Sequence, residues 1–205
     1  MAALNREEKF VQDVLTNPVA KAVLDRLPEL SLTDCWLTGG AIFQTVWNVL
    51  DQRDPQSGIR DYDIFYFDVT DTSYEAEDHA IGRARLLFDG LDAPIEVRNQ
   101  ARVHLWYQGH FGVPAEPFTS THDAIDHFAS TTCCFGLTQT GSGDIAVYAP
   151  HGFTDLYDKR IRPNRILAPQ SVYEAKAARW LHEWPTLLVE PWNDDLRDRS
   201  VGLLP

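Results

Sequence analysis

A chain of 205 residues with 44% apolar and 23% charged side chains has the make-up of an ordinary globular protein, able to bury roughly 70% of its unfolded surface as one body. Thirty acidic residues against 18 basic ones give a net charge of −12 without a basic run, which argues against a protein that grips long nucleic acid by neutralising its phosphates. No stretch approaches the ~20 apolar residues of a membrane helix. The opening MAALNREEKF is charged where a signal peptide is apolar, and the three cysteines, two of them adjacent, offer neither a disulfide framework nor a zinc spacing, so a reduced, cytoplasmic protein is expected.

In chain order, Phe10, Val14, Leu15, Val19, Val23 and Leu24 recur at three- and four-residue steps and predict one or two packing helices over 4–28, interrupted at Pro18 and closed by Pro28. A short strand over 34–38 ends at Gly39-Gly40, and a helix follows to Leu50 with Ile42, Phe43, Val46 and Trp47 toward a core. Residues 51–60 carry Pro55, Ser57 and Gly58 without periodicity and read as a loop. Asp61 to Phe67 is a strand, aromatic on both faces and so interior. Ser73 caps a helix to about Phe88, and Pro94 to Arg98 is a third strand.

Further on, the pattern predicts helices over 100–109 and 121–129, a hairpin pairing 133–137 with 144–148, a helical turn over 153–157 and a last helix over 172–184. Strands alternating with helices indicate an α+β fold with an α/β-like core: a central mixed sheet flanked by helices, with a helical C-terminal portion. The expected organisation is an N-terminal helical segment (1–30), a core (31–170) and a C-terminal helix and tail (171–205).

Three pieces of this chain carry chemistry. Residues two apart on a strand share a face, so Asp61 and Asp63 look the same way and can converge on one or two magnesium ions. Alone, such a pair is often turn chemistry, and sugar-nucleotide glycosyltransferases use it too. Gly39 and Gly40 either supply a turn of positive φ or let phosphate oxygens reach backbone N–H groups at a helix N-terminus. Glu96, sharing a strand face with Arg98, needs a partner if that face is buried. It either completes a metal site, takes a proton from an attacking hydroxyl, or pairs with Arg98 or Arg102. Arg102 could fork two phosphate oxygens. Asn164, Lys176 and Arg179 either line the far wall of the site or, the favoured reading, take surface or capping roles; His104 reads as a packing residue rather than a proton carrier, and Trp180, Trp184 and Trp192 as core rather than a base-stacking platform.

A glycine pair at a helix start, Asp-x-Asp on the next strand and an acid on a later one resemble the active-site core of the polymerase-beta-like nucleotidyltransferase superfamily. Beyond it, DYDIFYFD, EVRNQARVHLWY, IAVYAPHGFTDLYDKRIRPN and KAARWLHEWP resemble an uncharacterised, mainly bacterial nucleotidyltransferase-like branch over residues 30–193. The third acid is Glu where the superfamily usually has Asp, and the Gly40–Asp61 spacing is long, which leaves an extra loop beside the site.

The resemblance implies Mg²⁺ held by Asp61, Asp63 and Glu96, an NTP seated by Gly39, Gly40 and Arg102, and transfer of NMP to a small-molecule or protein acceptor. No long nucleic acid and no membrane are expected as partners. A catalytically inactive nucleotide- or partner-binding module of the same fold is the second reading. A metal-dependent sugar-nucleotide glycosyltransferase is the third.

Overall fold

In the structure, a computed structural model, residues 5–193 are described, so the outer part of the expected C-terminal tail (194–205) and residues 1–4 lie outside them. Asn5 starts helix α1 (Arg6–Leu15) with a reciprocal cap: its side chain accepts from Glu8 N at 2.8 Å and Glu8 accepts from Asn5 N at 2.9 Å. Pro18 divides the N-terminal segment by opening helix α2 (Pro18–Arg26) at its first position, where a missing N–H costs nothing. Asn17 caps α2 and is fully buried. Its Nδ2 donates to Thr45 Oγ1 (2.9 Å) and the Tyr62 hydroxyl (3.1 Å), so the N-terminal helices are pinned to the central strand.

Strand β1 (Trp36–Thr38) leads through Gly39 into helix α3 (Gly40–Leu50). After the loop come β2 (Tyr62–Tyr66), α4 (Tyr74–Leu87), β3 (Ile95–Asn99), α5 (Val103–Phe111) and α6 (Thr121–Asp126). The hairpin is β4 (Gly136–Gln139) and β5 (Ile145–Tyr148), followed by α7 (Thr154–Tyr157), β6 (Arg160–Ile161), α8 (Gln170–Glu183) and β7 (Leu188–Val189). The main sheet has five strands in the order β3-β2-β1-β4-β5. Only β2 and β3 run parallel, because α4 is a crossover between them; the other pairs are antiparallel. The fold is therefore the expected mixed sheet flanked by helices.

Several elements differ in extent. Asn99 caps a 3-10 turn (Gln100–Arg102) before α5 rather than one continuous helix. A second 3-10 turn (Thr131–Cys133) takes the residues expected to begin the hairpin, with Cys133 N bonded to Ser130 O at 3.1 Å. Helix α6 stops at Asp126, three residues early, which frees Phe128, Ala129 and Ser130 for another use. The two-residue parallel pair β6–β7 had no sequence signal.

Burial along β2 alternates with the pleat: Tyr62, Ile64 and Tyr66 are in the core, while Asp63 and Phe65 face the other way and are partly exposed. That core is one cluster, joining Phe10 and Val14 of α1, Val23 and Leu24 of α2, Ile42, Val46 and Trp47 of α3, and Tyr173, Trp180 and Trp184 of α8. The opposite face of β2, left incompletely covered, is where chemistry can occur.

Candidate active site

Asp61 and Asp63 stand on the open face of β2. Thr38, the last residue of β1, is paired with Asp63, so the chain turns at Gly39 directly against that carboxylate. A Cβ built on Gly39 would lie 2.5 Å from Asp63 Oδ2, and its φ of +71° is one that side-chain-bearing residues rarely adopt. Gly39 also starts α3 without a side-chain cap. The first amides of that helix thus have no intrahelical partner and carry its positive dipole end toward the two aspartates. On the other flank, β3 runs parallel to β2 with Glu96 as the register partner of Asp63. Neighbouring strands lie ≈ 4.8 Å apart, so Glu96 sits beside Asp63 at the backbone and its charge acts on that carboxyl, without the three acids closing around one point among the described residues.

A cavity of about 280 Å³ lies over this pair. Gly39, Gly40 and Gln44 line it from the start of α3, Asp61 from the end of the loop before β2, Asp63 and Phe65 from β2, Phe128, Ala129 and Ser130 from the segment after α6, and Lys176, Arg179 and Trp180 from α8. For Lys176 and Arg179 the sequence favours surface or capping roles over the far wall of the site; both line the cleft. The available signal was their spacing of three on the helix that also carries Trp180, four beyond Lys176. Neither forms an ion pair among the described residues. Two cations therefore face two carboxylates across the cleft with no direct pairing.

Burial, with the charges of Asp61 and then Glu96, pushes the Asp63 carboxyl up from its ordinary range to about 7, against the pull of Lys176 and Arg98. The Arg179 guanidinium is lowered by burial and by the neighbouring Arg60. Burial pushes the Cys133 thiol up to about 12, which keeps this cleft residue protonated and removes it as a nucleophile. Two more cleft residues, Ser130 and Trp180, are 1% and 3% exposed. Their Oγ and Nε1 atoms have no hydrogen-bond partner, a cost that a bound ligand could relieve.

Two expected site residues sit differently. Glu96 is not on a buried face: β3 is the edge strand, and the Glu96 side chain is 46% exposed, paired loosely with Arg98 at 3.4 Å. Arg102 lies outside the residues that line the cleft. Its guanidinium pairs with Glu77, its Nε donates to the Thr72 carbonyl at 2.9 Å, and only 14% of its side chain is exposed. Asn164 is structural, with Nδ2 on the Asp126 carbonyl at 2.7 Å. Trp184 is core, and its Nε1 donates to Asn48 at 2.8 Å.

Among the described residues no three His, Cys, Asp or Glu side chains close around a common point as a ready metal cage. Mg²⁺ is usually held by one or two carboxylates and completed by waters and substrate phosphates, and Asp61 and Asp63 are two carboxylates lining one cleft. Burial first, and then the charges of Asp61 and Glu96, raise the Asp63 carboxyl, a load that a cation between the two aspartates would relieve. The donor set of Asp61 and Asp63 fits a hard divalent cation.

Paired aspartates at an inner strand of a mixed sheet, beside a glycine turn, are the arrangement that the sequence's resemblance to nucleotidyltransferases leads one to expect. A nucleotidyltransferase family model matches residues 25–189, and the chain belongs to that family. A solved structure, described as the NMR structure of a protein that reveals a CCA-adding enzyme head domain, superposes with a TM-score of 0.72 at 24% identity, covering 91% of this chain and 96% of that one. At that identity the likeness speaks for the fold. Comparison with curated proteins finds no match. No helix among the described residues is long and apolar enough to cross a membrane.

Proposed function

We propose that this nucleotidyltransferase is Mg²⁺-dependent and moves NMP from an NTP to a hydroxyl-bearing acceptor. One observation carries the reading: Asp61 and Asp63 face the unpaired cations Lys176 and Arg179 across a cleft of about 280 Å³ that is floored by the Gly39-Gly40 helix start. A triphosphate needs this division of labour, cations and amides for its outer oxygens and carboxylates for its metal.

Asp61 and Asp63 hold the ion, which when bound would offset phosphate charge and make the α-phosphorus more electrophilic. The Gly39 and Gly40 region donates backbone N–H groups to the β- and γ-phosphate oxygens. Lys176 and Arg179 neutralise the same groups from α8, the role that Arg102, spent on Glu77, is not placed to fill. Glu96, in register beside Asp63 and held by Arg98, takes the proton from the acceptor hydroxyl.

The test is to incubate the protein with Mg²⁺ and each α-labelled NTP in a cell extract, with Asp61→Asn as control. Label transferred to an acceptor by the wild type alone supports the proposal. Mg²⁺-dependent NTP binding and turnover that survive Asp61→Asn would sink it.

A further inference from the structure

A second cavity, of about 260 Å³, lies beside the first. The two share Asp63, Phe65 and Phe128 in a common wall. The first opens toward β1 and α8; the second opens toward β3, with α5 and α6 over it. Their linings differ in kind. Phe65, Val103, Trp106, Tyr107, Phe118 and Phe128 make the second cavity chiefly aromatic. Its cation, Arg98, already leans on Glu96 at 3.4 Å, so nothing there matches the free Lys176 and Arg179 pair that suits phosphates. Trp106, on its rim, is 47% exposed, an indole that water covers poorly and a ligand would cover well.

Resting on the nucleotidyl transfer proposed above, we infer that this second cleft seats the acceptor, and that the acceptor is a small aromatic molecule bearing a hydroxyl. In-line displacement places the nucleophile and the departing pyrophosphate on opposite sides of the α-phosphorus. Two clefts that meet at Asp63 provide those two sides, and Glu96 lies next to Asp63 on the acceptor's side of β2.

The acceptor's O–H oxygen forms a bond to the α-phosphorus and the bond from that phosphorus to the β-bridging oxygen breaks. Pyrophosphate leaves toward Lys176 and Arg179, and the hydroxyl proton passes to the Glu96 carboxylate. The lining sets the class of acceptor. A dry cavity of roughly 150 Å³ lined by apolar side chains holds benzene. A cleft of about 260 Å³ therefore has room for a substituted ring. Asp63, Arg98, Gln100 and His127 are polar side chains that could meet the acceptor's hydroxyl, while the rest of the lining is mostly aromatic and suits a ring.

Binding measured on the full chain by calorimetry and saturation-transfer NMR tests this, with 4-hydroxyphenylacetate as aromatic probe, glycerol as polyol control and Mg·ATP as nucleotide. Trp106→Ala removes an exposed wall, and Phe118→Ala removes a second. The expected result is that 4-hydroxyphenylacetate binds, glycerol does not, and both substitutions weaken the aromatic probe at least tenfold while Mg·ATP affinity stays within twofold. A tenfold loss of Mg·ATP affinity in Trp106→Ala would place the nucleobase in this cleft and overturn the inference. Aromatic binding that is absent, unchanged in both variants, or no better than glycerol would overturn it too. Failure of the underlying nucleotidyl-transfer reading shows separately, as Mg·ATP binding that is indifferent to Asp61→Asn.

Discussion

Gly39 and Asp63 are in contact across the β1–β2 pair, with room for a hydrogen and not for a methyl: a Cβ at 39 would sit 2.5 Å from Asp63 Oδ2. The glycine thereby fixes where the carboxylate lies and leaves the helix start bare beside it. Gly39→Ala should cost about 1–3 kcal/mol, because its φ of +71° is held against strain, and should displace Asp63 as well. A displacement of 1 Å at a reacting centre can cost about 100-fold, and a loss of that size in Mg²⁺-dependent NTP turnover is expected. Gly40→Ala is the comparison. Its Cβ would meet the end of the Gln44 side chain, which can move, so the loss should be markedly smaller. Equal losses in the two variants would remove the special role of position 39.

Asp63 also predicts how stability depends on pH. Its folded-state value of about 7 lies above the ordinary carboxylate range, so its protonated form is the one the fold favours. The stabilising contribution is complete below about pH 4, where folded and unfolded chains both hold the proton, and is lost as pH rises toward 7. Without metal, thermal stability should therefore decline across this window by an amount on the order of a few kcal/mol that Asp63→Asn abolishes. At pH 8 that variant should melt higher than wild type, by roughly 2–4 °C for each kcal/mol recovered. Adding Mg²⁺ with NTP should restore the wild type and leave the variant unmoved. Thermal melts across pH check this, and identical profiles for the two proteins would count against a charge-loaded Asp63.

Three arginines and lysines near the site should separate by function. Lys176→Ala and Arg179→Ala remove cations with no ion pair among the described residues, so the fold should tolerate both. NTP affinity should fall about tenfold or more for each, the worth of a charge-assisted hydrogen bond. Arg102→Ala should do the reverse. It leaves Glu77 and the Thr72 carbonyl without their partner in a largely buried place, at a cost of about 1–3 kcal/mol in stability. Nucleotide affinity measured on the folded Arg102→Ala protein should match wild type. Calorimetric titration and melting of the three variants distinguish the roles.

How much of this site could be read from the sequence follows from the range of each interaction. Asp61 and Asp63 share a face through strand periodicity alone, and Gly39-Gly40 marks a strand-to-helix turn by residue type. Both signals are local. Glu96 was legible as a strand neighbour but not in its exposure, because which strand ends a sheet is settled by pairing and not by the strand's own residues. Arg102 looked free for a phosphate until Glu77, 25 residues earlier, came to meet it. Lys176 and Arg179 reach the cleft only through the docking of α8, whose buried face (Tyr173, Ala177, Trp180) was visible as a stripe while its destination was not. The early stop of α6, which gives Phe128 and Ser130 to the cleft, had no marker of its own.

The last prediction concerns the long loop between α3 and β2, which delivers Asp61. Its main tie is a buried side chain of α3. Asn48 Nδ2 donates to the carbonyls of Pro55 (3.1 Å) and Ser57 (2.8 Å), and Asn48 Oδ1 accepts from Trp184 Nε1 (2.8 Å). Arg53 adds a bond to the Glu183 carbonyl at 2.9 Å, so the loop bridges α3 to the end of α8 just before the strand carrying the aspartates. Asn48→Ala would orphan the Ser57 carbonyl and an indole N–H and leave the Pro55 carbonyl only the longer bond from Asn17 Nδ2 (3.5 Å), and should cost about 2–4 kcal/mol. Because Asp61 is the loop's last residue before β2, loosening it should also weaken Mg²⁺-dependent NTP binding in the protein that remains folded. Trp184→Phe is the control: it removes the indole N–H and part of the buried ring, and should lower stability while leaving the bonds of Asn48 to the loop carbonyls, and nucleotide affinity, in place. If Asn48→Ala loses stability while its NTP affinity matches that of Trp184→Phe, the loop is a packing feature with no part in placing Asp61.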